Sequence, residues 1–140
     1  NNIEPDFSHI ISDLGNRWES KNLALKPYAC GTMAQPFIDC AIKLKDKIDN
    51  VENIDRVIAS VGEGTVHRLW EPLKEKQCPS TAYGAKFSVP YCIAVGLIDG
   101  QAGLKQFTEN KKYDQFHTNI SSRLHRLFSG YGDFFPCPAT

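Results

Sequence analysis

Apolar positions recur at helical spacing in several stretches of this chain, and the first lies close to its start. Phe7, Ile10, Ile11 and Leu14 fall on one face behind an acidic cap at Asp6, and Trp18 continues the stripe. That spacing predicts a helix over 6–19, with Gly15 ending it or tolerated inside it. Asn22 to Tyr28 reads as extended, because Pro27 pushes Lys26 away from helical geometry. From Thr32, the positions Phe37, Ile38, Ala41, Ile42, Leu44 and Ile48 return to a 3.6-residue period and predict a helix over 32–48. Ile54, Val57, Ile58 and Val61 alternate and are β-branched, so 54–61 reads as a strand, broken by Gly62 and Gly64. The stretch 65–73 fits either a helical turn or a second strand. Residues 74–80 are polar, include Pro79, and read as a loop.

Residues 81–99 are small and apolar. They predict a buried helix over 88–98, with Pro90 in its first turn, where a missing N–H costs nothing, and Gly100 as its C-cap. Short helices are expected over 104–107 and 120–128. The tail, 130–140, has the composition of a loop or linker. The order of elements predicts a single α+β domain with a small sheet.

Composition narrows the functional classes. The chain has 140 residues, with 16 basic and 16 acidic side chains that cancel. A balanced charge argues against a general nucleic-acid surface but leaves room for a local basic pocket. No apolar run is long enough to span a bilayer. The segment 1–5 has neither the basic nor the apolar region of a signal peptide, so a cytoplasmic setting is expected. The cysteines are Cys30, Cys40, Cys78, Cys92 and Cys137. None pairs at C-x-x-C spacing, so free thiols are expected and no metal site.

Two segments stand out together. Lys26-Pro27-Tyr28-Ala29-Cys30-Gly31 is followed by Pro36-Phe37-Ile38-Asp39. Ala85-Lys86-Phe87-Ser88-Val89-Pro90-Tyr91 is followed by Ala94 and Leu97-Ile98-Asp99-Gly100. Gln101, Phe107 and Thr108 continue the second segment. Both segments, in this order, resemble the C-terminal domain of the MmgE/PrpD family, over roughly 7–127. The resemblance implies an α+β fold with a small, mostly antiparallel sheet packed with helices. Family members include 2-methylcitrate dehydratases, cis-aconitate decarboxylases and iminodisuccinate epimerases, which handle small polycarboxylates without a cofactor. Their site lies between a large helical domain and a smaller lid domain. The resemblance therefore implies that residues 1–140 form the lid of a longer chain. The partners it implies are the N-terminal helical domain, a polycarboxylate substrate and, in the parent protein, a second subunit.

Proton abstraction beside a carboxylate builds up negative charge, so such a site needs cations, helix N-termini and a base of near-neutral pKa. Lys26 precedes a helix start, where an ammonium beside free N–H groups makes an anion site. The resemblance places an active-site lysine there. His67 follows the predicted strand, near a position where relatives carry an active-site tyrosine. It is the candidate acid, base or carboxylate ligand, beside the plainer reading of a surface histidine. Lys86 either binds a carboxylate or pairs with an acid to hold its loop. Thr32 and Gln35 are further candidate substrate contacts. Many relatives have a histidine where Gln35 stands and a basic residue near Thr32. Gln35 can hydrogen-bond a carboxylate but cannot transfer a proton at neutral pH. The resemblance makes Cys30 a pocket-wall residue, and Tyr91 reads as packing. His9, His117 and His125 read as surface residues, the last with Arg123 and Arg126 on a mildly basic helix face. The rival functional reading is a non-catalytic ligand-binding or interaction domain that keeps the lid fold.

Overall fold

The computed structural model describes residues 5–112 and 115–128. The expected helix over 6–19 shrinks to α1, Ser8–Ile11. Gly15 follows at φ +85°, a left-handed geometry that stops helix propagation. Phe7, Ile10, Leu14 and Trp18 are all exposed. An amphipathic helix this short gets its stability from a packed face, and these four side chains stay mostly exposed. A 3-10 turn, Glu19–Asn22, comes next.

Thr32–Ala34 forms a second 3-10 turn that feeds α2, Gln35–Lys45, with Pro36 in the first helical turn. The strand is β1, Val57–Val61. The undecided stretch after it is helical as α3, Glu63–Leu69. The expected loop over 74–80 instead begins with α4, Leu73–Gln77. Its Lys, Glu and Gln are good helix formers, which a count of polar residues overlooks. Then come α5, Ala82–Ala85, and α6, Val89–Asp99. A 3-10 turn at Leu104–Phe107 falls where a short helix was expected. It leads to α7, Glu109–Lys112, and α8, Gln115–Ser122. The predicted helix over 120–128 does not form as one element: α8 ends at Ser122 and β2 occupies Leu124–Phe128. His125 and Arg126 therefore sit on a strand, not on a helix face. The tail over 130–140 and Cys137 lie outside the described residues.

Helix α6 is the centre of the molecule. Nine of its residues, Val89 to Leu97, are buried. Its start is capped by Ser88 Oγ, which accepts from the Tyr91 N–H at 3.1 Å and donates to the Lys76 carbonyl. Gly100, at φ +68°, closes its other end with an N–H to Gly96 O. Helix α2 lies against it through Ile38 and Ala41, and α8 covers another side.

The sheet corrects the expected fold class. It has two strands, β1 and β2, and they are parallel, with Val57 opposite Leu124 and Val61 opposite Phe128. No antiparallel pair occurs among the described residues. Parallel strands need a long crossover, and the run from α3 to α8 supplies it. Arg123 holds the entry to the pair: its guanidinium donates to the carbonyls of Glu52, at 2.8 Å, and Ile54. Its own carbonyl accepts from Val57 N at 3.0 Å. No helix among the described residues is long and apolar enough to cross a membrane.

Candidate functional site

The two motif segments meet in space. Gly31 N donates to Lys86 O at 2.8 Å, and Ala29 N to Ala102 O at 3.1 Å. A Cβ at Gly31 would stand 3.2 Å from the Phe87 ring, so the absence of a side chain lets the strands of backbone approach this closely. Tyr28 donates its hydroxyl to Asp39 on α2, which ties the first segment to the helix it precedes. That bond, then burial and the Asp39 charge, push the Tyr28 hydroxyl up to about 12.

Two adjoining surface hollows flank this junction. One, of about 420 Å³, is lined by Lys26, Thr32, Met33, Arg68, Leu69 and Phe87, with Gly31 at its wall. The other, of about 550 Å³, takes in Lys26, Cys30, Tyr83, Lys86, Phe87 and Leu104. Lys26 and Phe87 belong to both. Of the candidate residues, Lys26, Thr32 and Lys86 are thus brought to one place. His67 is exposed on α3 and lines neither hollow. Gln35 is half-buried at the start of α2 and also lines neither. Its Nε2 is buried with no hydrogen-bond partner among the described residues.

Arg68, next to His67 on α3, was not singled out by sequence. It carries no motif, and only the docking of α3 beside Gly31 and Phe87 brings it to the hollow. Lys76 positions this wall: its ammonium donates to the carbonyls of Arg68, at 2.7 Å, and Phe87, at 2.9 Å. Partial burial lowers the pKa of Lys76.

Cys30 is buried in the wall of the second hollow and faces Cys92 of α6. The hydrogen bond to Cys92 holds the Cys30 thiol below the ordinary thiol range, against the effect of burial, and the Lys26 charge adds to this. The same bond, with full burial, pushes the Cys92 thiol well up. Cys40 and Cys78 are free and exposed. No cluster of potential metal ligands occurs among the described residues.

His117 corrects another expectation. It is buried, at 1% exposure, with Nε2 3.3 Å from Asp99 Oδ1 and its ring beside Tyr91. Its spacing from Ile120 and Ser121, three and four residues on, is that of a buried helix face, and this was the readable signal.

Fold and site define a small, mostly helical domain whose two motif segments converge on a cationic surface hollow. The MmgE/PrpD C-terminal domain matches residues 28–123, and the chain belongs to that family. A cis-aconitate decarboxylase-like protein, oryM, of Aspergillus oryzae is 30% identical over 105 residues, covering 70% of this chain and 21% of that protein. A cis-aconitate decarboxylase of Aspergillus terreus is 27% identical over 118 residues, covering 78% of this chain and 24% of that one. The chain thus spans 21–24% of the length of these relatives.

Proposed function

We propose that this domain forms one wall of a cofactor-independent lyase or isomerase site for a small polycarboxylate, completed by a helical domain of the same protein. The observation that carries the reading is the position of Lys26. It stands between two hollows, with Lys86 on one side and the Thr32 hydroxyl on the other. Hollows of this size suit a small organic acid. Removal of a proton beside a carboxylate, or loss of carbon dioxide from one, places extra charge on the remaining oxygens. Ammonium groups fixed beforehand stabilise that charge without reorganisation. In this proposal Lys26 contacts the carboxylate next to the reacting carbon and Lys86 a more distant one. Thr32 acts as a neutral donor in the smaller hollow. His67 is proposed as an acid or base that meets the substrate where the second domain closes over α3. A family relationship to proteins named as cis-aconitate decarboxylases supports a lyase; dehydration and epimerisation belong to the same proposal.

The test is Lys26→Ala in the complete protein, assayed against cis-aconitate and 2-methylcitrate. Loss of one carboxylate contact and its charge stabilisation is expected to cost about a hundredfold in kcat/KM. Unchanged activity removes Lys26 from the site.

A second reading, a non-catalytic ligand-binding or interaction domain, draws on the exposed Leu23, Leu25 and Leu104. It predicts that the complete protein binds polycarboxylates without turning any over.

A further inference from the structure

We infer that Arg68 is a second carboxylate anchor, and that Lys26 and Arg68 clamp two carboxylates of one ligand in the smaller hollow. The inference rests on the polycarboxylate reading and adds a specificity-determining residue to it.

The wall of the 420 Å³ hollow carries these two cations, the Thr32 hydroxyl, and otherwise the apolar surfaces of Met33, Leu69 and Phe87 beside Gly31. No carboxylate lines it among the described residues. The Arg68 guanidinium makes no ion pair or hydrogen bond with any described residue, nor does the Lys26 ammonium make either. In a chain whose charges balance overall, two cations without a partner facing one hollow leave a local positive field that an anion relieves. The apolar floor favours a carbon skeleton over a bare inorganic anion. A planar guanidinium can take a carboxylate through two parallel N–H···O bonds, whereas an ammonium acts as a point charge. The two cations therefore read different groups. Arg68 orients a carboxylate plane, and Lys26 neutralises a second carboxylate nearer the motif backbone.

The Arg68 anchor is also held in place. Lys76 bonds the carbonyls of Arg68 and Phe87 together, 2.7 Å and 2.9 Å away. Leu69, the next residue, is buried in the core. The backbone that carries Arg68 is thus tied to its neighbours although the side chain is exposed, an arrangement that lowers the entropy cost of binding.

The experiment titrates the complete protein with tricarballylate, an unreactive tricarboxylate, and with its mono-amide, and measures kcat and KM on cis-aconitate in parallel. Arg68→Gln is expected to weaken tricarballylate by about ten- to a hundredfold, to raise KM more than it lowers kcat, and to bind acid and mono-amide almost alike. Arg68→Lys is expected to recover part of the affinity, since it restores charge but not the planar fork. Lys74→Gln, an exposed cation on α4 away from both hollows, is expected to match the wild type. Normal binding by Arg68→Gln alongside weakened binding by Lys26→Ala would overturn the clamp and leave the polycarboxylate reading standing. Failure of the wild type to bind either tricarballylate or cis-aconitate would overturn that reading and the clamp with it.

Discussion

Tyr28 shows how much of this site is settled by single side chains. Its hydroxyl reaches Asp39, one turn into α2, and the bond holds the Lys-Pro-Tyr segment against the helix. The neutral phenol is the form this bond needs, so its folded pKa rises to about 12. The stability that follows is fully present below the ordinary tyrosine pKa. It is lost as pH climbs from about 10 toward 12, where the unfolded chain has released the proton and the folded chain still holds it. The difference in urea midpoint between the wild type and Tyr28→Phe should therefore shrink across that interval. A difference that stays constant with pH would place the tyrosine's contribution in packing alone. At the same scale Gln35 can hydrogen-bond a carboxylate but cannot transfer a proton at neutral pH, and this is one reason Lys26 and Arg68 are assigned binding roles before chemical ones.

Among elements, the α2–α6 pair packs tightly at Gly96. A Cβ on Gly96 would lie 2.6 Å from the Ala41 Cβ and 3.2 Å from the Ile38 carbonyl. Both obstacles are stiff, one a methyl attached directly to backbone and the other backbone itself. The helices must separate to admit it. Gly96→Ala gains helix propensity of about 1 kcal/mol but forces an overpacked interface, which costs about 1–3 kcal/mol or more. The net expected result is a lower urea midpoint and a lower Tm. A stabilised variant would mean that the interface is looser than this geometry. The same pair explains the position of the site. The Cys30–Gly31 turn enters α2 and the Lys86–Phe87 turn enters α6, so helices packed this tightly bring the two turns together.

At the scale of the whole molecule, the domain is proposed to offer one wall of a site. The hollows are open to solvent. Proton abstraction beside a carboxylate calls for water exclusion and for groups on the substrate's far side, and these are proposed to lie in the remaining length that relatives possess. The isolated 140-residue chain should therefore give no detectable turnover of cis-aconitate or 2-methylcitrate under conditions where the complete protein does. Turnover by the chain alone would overturn the shared-site proposal. The helical stripe of Phe7, Ile10, Leu14 and Trp18 stays exposed, as do Leu23 and Leu25.

That stripe marks the boundary between what the sequence determined and what the tertiary structure decided. Periodicity is a local signal. It located α2, which buries one face, while a run of small apolar residues bounded by Pro90 and Gly100 located α6, which is buried all round; both signals are written within a few residues. The two motif segments and the family were legible for the same reason. The 6–19 stripe had the right spacing too, but no packing partner converts it into a long helix. Parallel pairing of β1 with β2 depends on a crossover through six helices and on the Arg123 clamp, so the expected antiparallel sheet was wrong and residues 124–128 were read as helix. Arg68 and His117 were missed or misread on the same ground. One becomes a wall of the hollow and the other a buried partner of Asp99 only when distant elements dock, and no spacing in the chain records that encounter.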